Sequence, residues 1–116
     1  MGLRETILSS RNARKRITVD VAEMGGKLTL AELDGIGRER MERCATREDG
    51  RGFEVLLVAL SLIDPDTGAC VFSADKPEDI QGLAGVPATA LRTLFDAAYE
   101  LNQLSGRAVV EARKNS

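Results

Sequence analysis

The fold depends most on an apolar stretch at residues 53–63, which reads FEVLLVALSLI. Phe53, Leu57 and Leu60 recur at helical spacing, and further apolar residues fill the other sides of the same helix. A helix that is apolar nearly all round is typically buried. The stretch is only about half as long as a membrane span must be. The sequence therefore predicts a buried central helix over residues 53–63.

A β-hairpin is predicted before this helix, at residues 17–31. Residues 17–21 and 27–30 alternate apolar and polar side chains, which is the period of a strand with one buried face. Gly25 and Gly26 lie between them, and residues that tolerate positive φ suit a hairpin turn. The predicted buried face consists of Ile17, Val19, Val21, Leu28 and Leu30. Because a lone hairpin is only marginally stable in water, we expect helices to cover this face.

One helix is predicted on each side of the hairpin, an amphipathic one before it and a charged one after it. Residues 3–9 place Leu3, Ile7 and Leu8 on one side of a short helix. Residues 34–46 are rich in charged side chains, and Asp34 is the predicted N-cap of that helix.

The C-terminal half predicts a turn and two more helices. The sequence DPDTG at residues 64–68 is typical of a turn, and residues 70–72 could form a short extended piece. Asp75 is the predicted N-cap of a short helix with Pro77 in its first turn, which ends near residues 82–85. A longer helix opens at Pro87 and is predicted to end at Gly106. Its apolar stripe comprises Leu91, Leu94, Phe95, Ala98 and Leu101.

The combined pattern predicts the α+β class, with an N-terminal β-hairpin packed on about four to five helices. All 116 residues fit one domain. Its predicted parts are a short helix and basic linker (1–16), the hairpin (17–31), a helical region (34–106), and a tail (107–116) that forms a final short helix or stays mobile.

The composition argues against the commonest kinds of catalysis. The chain has no histidine, which is the usual general base and the commonest metal ligand. It has one Tyr, three Phe and no Trp, so stacking platforms for flat cofactors are scarce. We predict a non-catalytic protein without a cofactor, a metal or a catalytic residue. The N-terminus shows no secretory signal, so we expect the protein to stay in the cytoplasm.

Two local patterns suggest metal binding, and both have a simpler explanation. Asp64 and Asp66 resemble the start of a calcium loop, but Gly68 occupies the fifth position of that loop, where a ligand belongs, so a turn is the better interpretation. Cys44 and Cys70 are too far apart for the usual metal-site spacing. We predict that both cysteines are small buried residues.

A basic segment at residues 11–16 is the basis of an alternative function. It contains Arg11, Arg14, Lys15 and Arg16 without an intervening acid, and such clusters can contact phosphates. The whole chain, however, has 16 basic and 18 acidic residues, and no DNA-binding motif includes the segment. An exposed linker is the favoured interpretation, and a small nucleic-acid-binding or regulatory protein is the alternative.

An ordered set of motifs covers nearly the whole chain. Leu3-Arg4-Glu5 opens the first helix, and the glycine-turned hairpin follows at 17–31. Residues 57–64 then read LVxLSLxD ahead of Val71-Phe72, and residues 94–104 read LFDAAxxLNxL. This set resembles the tail assembly chaperones of long-tailed, siphovirus-type bacteriophages and prophages. That family commonly has an aromatic residue, often Trp, before the hairpin glycines, where this chain has Met24 as a flexible filler.

The resemblance implies a chaperone that binds the tape measure protein and helps the tail tube protein to assemble around it. It also implies a homo-oligomer in the host cytoplasm that is absent from the mature virion, with no membrane and no nucleic-acid partner. Candidate partner-binding residues lie beyond the best-packed apolar stripe, and core packing is their alternative role. They are Leu104, Val109 and Val110.

Overall fold

A computed structural model describes residues 2–45 and 52–103. The predicted residues Leu104, Gly106, Val109 and Val110, and the tail at 107–116, lie outside the described residues. The helices are α1 (Leu3–Ser9), α2 (Gly35–Ala45), α3 (Phe53–Ser61), α4 (Pro77–Ala84) and α5 (Ala88–Leu101), and the strands are β1 (Arg16–Val21), β2 (Gly26–Ala31) and β3 (Leu62–Ile63). No helix in the described part of the chain is both long and apolar enough to cross a membrane.

The predicted hairpin is confirmed, and its second strand begins one residue earlier than predicted. β1 and β2 pair antiparallel from Arg16 opposite Ala31 to Val21 opposite Gly26. A short 3₁₀ turn at Ala22–Met24 and the left-handed Gly25 connect the strands. Gly26, at φ 123°, is already the first residue of β2. Met24 packs against the core from this turn, as predicted for a flexible filler.

The predicted central helix is correct for residues 53–61 and wrong for the last two residues. Leu62 and Ile63 instead form β3, which pairs with Leu30 and Thr29 to extend the sheet in the order β1-β2-β3. Two features favour this exit from the helix. The edge of β2 supplies backbone hydrogen bonds, and Pro65 just beyond disfavours further helix.

The core lies between the sheet and the helices. α5 packs against β1, β2 and α3, and α3 also packs against α2 and α4. The rings of Phe53 and Phe95 meet edge to face at a centroid distance of 6.0 Å, which joins α3 to α5. The α+β prediction, with a hairpin on five helices, is confirmed. The largest buried apolar side chains are Phe95, Leu30, Met41, Leu57, Leu83, Leu94 and Val58.

One predicted N-cap is correct and the other is wrong. Asp34 Oδ1 accepts a hydrogen bond from the Gly37 N–H at 2.8 Å, so it caps α2 as expected. For α4, the N-cap is Lys76 and not Asp75. Pro77 occupies the first turn of α4, and a proline holds its preceding residue in an extended conformation. Asp75 pairs with Arg40 at 3.1 Å instead.

The helix from Pro87 begins as predicted and ends earlier than predicted, at Leu101 and not at Gly106. Asn102 is its C-cap, and the Asn102 side chain connects the end of the helix to the backbone after β2. Its Nδ2 donates to the Ala98 carbonyl at 2.8 Å, and its Oδ1 accepts from the Leu33 N–H at 2.6 Å. Gln103 then turns away with φ 52°.

Candidate protein-binding surfaces

An apolar groove of about 450 Å³ lies between the hairpin and α4. We call it the hairpin groove. Its walls come from four segments far apart in the sequence: the hairpin turn and β2, β3 with its following turn, residues 71–72, and the end of α4. Lys27 and Asp64 are its charged residues. The apolar residues that matter most below are Met24, Leu28, Ile63, Val71, Phe72 and Val86.

A tight turn after β3 holds one wall of the hairpin groove. The Asp64 carbonyl accepts from the Gly68 N–H at 2.7 Å, and Asp64 Oδ1 accepts from the Asp66 N–H at 2.8 Å. The chain then returns, with the Val71 N–H donating to the Leu62 carbonyl at 3.1 Å. The turn predicted for residues 64–68 is therefore confirmed. It leaves the Val71 side chain 54% exposed.

A second groove, of about 530 Å³, lies between α2, α3 and α4. Its lining mixes apolar side chains such as Leu56 and Ile80 with the charged pair of Arg40 and Asp75. Ile36 is 72% exposed at this groove. The mixed chemistry makes it a poorer match for an apolar partner than the hairpin groove.

Helix α1 is amphipathic, as predicted, but none of its residues is buried. Leu3 is 75% exposed, Ile7 59% and Leu8 47%. Its main packing contact within the described residues is the following 3₁₀ turn, Ser10–Ala13. An apolar helix face is thus presented to solvent next to the basic segment.

The basic segment leads into β1, and Lys15 and Arg16 are exposed there, as the predicted exposed linker requires, whereas Arg14 is half-buried. An Arg14 guanidinium nitrogen donates to the Glu32 carbonyl at 3.3 Å, and the Lys15 N–H donates to Glu32 Oε1 at 3.0 Å. Arg16 reaches across to the Pro65 carbonyl at 3.3 Å. Two of its guanidinium groups therefore bind backbone carbonyls of the fold, which does not favour the nucleic-acid alternative.

The two cysteines differ in their surroundings. Cys44 is buried, as predicted, whereas Cys70 is exposed, which corrects the prediction for that residue. Cys70 lies beside β3 at the sheet edge, where it pairs with Ile63, and an edge position leaves one side open to solvent. Its sulfur lies 3.8 Å from the Leu60 carbonyl oxygen, and partial burial of the sulfur raises the pKa of the Cys70 thiol. A raised thiol pKa does not suit a nucleophile at neutral pH.

Among residues 2–45 and 52–103, no group of three or more His, Cys, Asp or Glu side chains is placed to hold a metal ion. The described residues do form three surfaces suited to protein contact: an apolar groove, an exposed apolar helix face and a mixed groove. The partner-binding candidates Leu104, Val109 and Val110 lie outside the described residues and stay predictions.

The architecture matches a solved structure, that of the tail assembly chaperone of bacteriophage HK97. The two chains superpose with a TM-score of 0.60 at 24% sequence identity. The match covers 85% of this chain and 95% of the HK97 chain. This chain has the fold of a tail assembly chaperone.

The tail assembly chaperone fold was the one that the ordered motifs resembled, and that prediction of fold is confirmed. The sequence matches no protein-family model and no curated protein significantly. At 24% identity most side chains differ between the two folds, so the arrangement of elements carries the similarity. The surfaces described above must therefore be judged on this chain's own residues.

Proposed function

We propose that the protein is a tail assembly chaperone, which binds the tape measure protein and promotes tail tube assembly without catalysing a reaction. The observation that carries the proposal is the fold shared with the HK97 tail assembly chaperone over 85% of this chain. A chaperone of this kind acts in the host cytoplasm and is absent from the mature virion.

The chain's surfaces fit such a role physically. A tape measure protein is a long and largely helical chain with apolar stripes, which would aggregate before the tube forms around it. A helix with an apolar stripe is recognised by grooves that accept side chains at helical spacing. The hairpin groove and the exposed face of α1 are apolar surfaces of this type. Many weak contacts along one client would add up through multivalency.

Co-expression with the tape measure protein of the same genome tests the proposal. We expect the soluble fraction of the tape measure protein to rise and the two proteins to co-purify. The matched control replaces this chain with an unrelated protein of similar size and charge. Absence of both a complex and a solubility gain would contradict the proposal.

Two further observations test the details. If the gene lies between the tail tube and tape measure genes, that position would support both the tail tube protein and the tape measure protein as partners. Immunoblots of purified virions and of host cytoplasm should find the protein only in the cytoplasm. A signal in mature virions at tail-protein stoichiometry would show instead that it is a structural component.

A further inference from the structure

The groove between α2, α3 and α4 combines apolar and cationic side chains, and we call it the mixed groove. We propose that it is a docking site for an acidic amphipathic helix of a protein partner. Such a helix carries apolar residues one turn apart, with glutamate or aspartate beside them. The inference rests on the residues of the groove itself and does not depend on the identity of the client.

The mixed groove has an apolar surface built from three helices. Ile36 on α2, Leu56 on α3 and Ile80 on α4 all line it. Ile36 is 72% exposed, and Leu56 and Ile80 are half-buried. α2 has 11 residues and is about 16 Å long, so this wall matches about three turns of a docked helix. Apolar residues at helical spacing on a partner would lose their water contact here together with those of the groove.

The mixed groove also carries an excess of positive charge. Arg40 and Arg43 line it together with one acid, Asp75. Asp75 is already paired with Arg40, whose guanidinium lies 3.1 Å from the carboxylate and also donates to the Ala74 carbonyl at 3.4 Å. The described residues that line the groove thus carry two positive charges and one negative charge. A carboxylate on the docked helix balances the excess, whereas a lysine or arginine would add to it.

Two helix starts contribute to the same positive field. Gly52, which precedes α3, lines the mixed groove, and α4 begins two residues after Asp75. No side chain caps either helix start, and the N–H groups of an uncapped start carry partial positive charge. The acids in the first turns of these helices, Glu54, Glu78 and Asp79, do not line the groove. The two helix starts therefore reinforce the arginines.

The arrangement of charge also sets the direction of docking. Both arginines belong to α2, so the positive side of the mixed groove is its α2 wall. A carboxylate beside the apolar anchors of the partner helix would form charge-assisted hydrogen bonds with a guanidinium. Such contacts fix orientation more than they raise affinity. We therefore expect the partner helix to dock with its acidic flank toward α2.

A synthetic peptide of about 18 residues, long enough to be helical in water, tests the docking directly. Its apolar positions are leucines one turn apart, and glutamates flank them. A matched peptide replaces every glutamate with lysine. Fluorescence anisotropy of each labelled peptide, titrated with the purified full chain, gives the two affinities. We expect the glutamate peptide to bind at least about tenfold more tightly than the lysine peptide.

Single substitutions in the full chain locate the bound peptide. Ile36→Glu places a like charge on the apolar wall, and Arg43→Glu reverses one guanidinium charge. Each should weaken binding of the glutamate peptide by about tenfold or more, and Arg43→Glu should bind the lysine peptide better than the unmodified chain does. Lys27→Glu is the matched control, because Lys27 is the cation of the hairpin groove, and it should bind like the unmodified chain. Circular dichroism confirms that each variant is folded.

Four results would overturn the proposal. The unmodified chain could fail to bind at about 100 μM, as expected if another segment or a second copy covers the groove. The two peptides could bind equally well, so that charge plays no part. Equal loss of binding in Lys27→Glu would place the peptide in the hairpin groove. Displacement of the peptide by an equal concentration of single-stranded DNA would reveal a site for anions in general.

The outcome is independent of the tape measure experiment, because the peptides contain no tape measure sequence. A chain that solubilises the tape measure protein and binds neither peptide would retain the proposed function without this docking site. A chain that binds the glutamate peptide and leaves the tape measure protein insoluble would retain the docking site without that function.

Discussion

The most unusual residue of the core is Ser61. It is fully buried at the end of α3, and its hydroxyl has no hydrogen-bond partner within the described residues. A buried and unsatisfied polar group costs about 1–3 kcal/mol. We therefore expect Ser61→Ala to raise the free energy of unfolding by about 1 kcal/mol, measured by urea denaturation.

A matched serine provides the control for this substitution. Ser9 is exposed on α1 and donates to the Glu5 carbonyl. Ser9→Ala should change the free energy of unfolding by less than about 0.5 kcal/mol, as most surface substitutions do. If Ser61→Ala lowers stability instead, the hydroxyl makes a favourable contact, and the buried position is a satisfied one.

At the scale of secondary-structure elements, the hairpin turn and α4 hold their glycines in opposite backbone conformations, one with positive φ and one helical. Gly26 has φ 123°, which an L-residue rarely adopts. Gly82 is exposed in helix α4, and a Cβ added there would meet no heavy atom within 4 Å apart from its chain neighbours and its own helix backbone. We expect Gly26→Ala to destabilise the protein by about 1–3 kcal/mol. Gly82→Ala should stabilise it by roughly 0.4–1 kcal/mol, because alanine lowers the entropy of the unfolded chain.

Urea denaturation of both variants checks this pair, since each adds the same methyl group. The sign of the change, not its size, distinguishes the two backbone conformations. Equal destabilisation by both alanines would mean that α4 does not hold Gly82 in a regular helix.

Local sequence patterns predicted helices and strands correctly where the rest of the fold favoured the same conformation. Alternation and two glycines defined the hairpin, and Asp34 defined the start of α2. Leu62 and Ile63 were missed as β3, because an apolar run continues a helix pattern without a break. They are extended because the edge of β2, which lies far earlier in the chain, pairs Leu30 with Leu62, and because Pro65 just beyond disfavours helix.

The candidate surfaces were harder to predict from the sequence than the helices and strands. Leu3, Ile7 and Leu8 were recognised as one face of a helix, but the pattern cannot show whether a partner covers it. The hairpin groove combines apolar side chains from segments that no local motif connects, such as Met24 and Val86. The position of Val71, an apolar residue shortly after a tight turn, was the one signal in the sequence for the exposed wall of the hairpin groove.

Across the full chain, the shared core predicts that hairpin and helices unfold together. Leu30 is fully buried in β2, and it contributes to the same apolar cluster as Phe95 of α5. Leu30→Ala should lower the free energy of unfolding by about 2–5 kcal/mol, the cost of emptying a buried leucine site. If the substitution also destabilises the helices, the chain unfolds as the single domain that its length predicts. The spectroscopic probe must therefore lie in a helix, far from the hairpin in sequence.

Tyr99 supplies that probe from the opposite layer. It lies in α5 with its ring 5.6 Å from that of Phe95, and because the chain has one Tyr and no Trp, its fluorescence reports on this helix alone. If the chain is one cooperative unit, Leu30→Ala in the hairpin shifts the Tyr99 transition as far as the circular dichroism transition. Leu3→Ala, 75% exposed on α1, should shift neither. If the denaturation midpoint measured by Tyr99 fluorescence does not change in Leu30→Ala, the helices fold without the sheet. The shared core would then be a contact between two separate units.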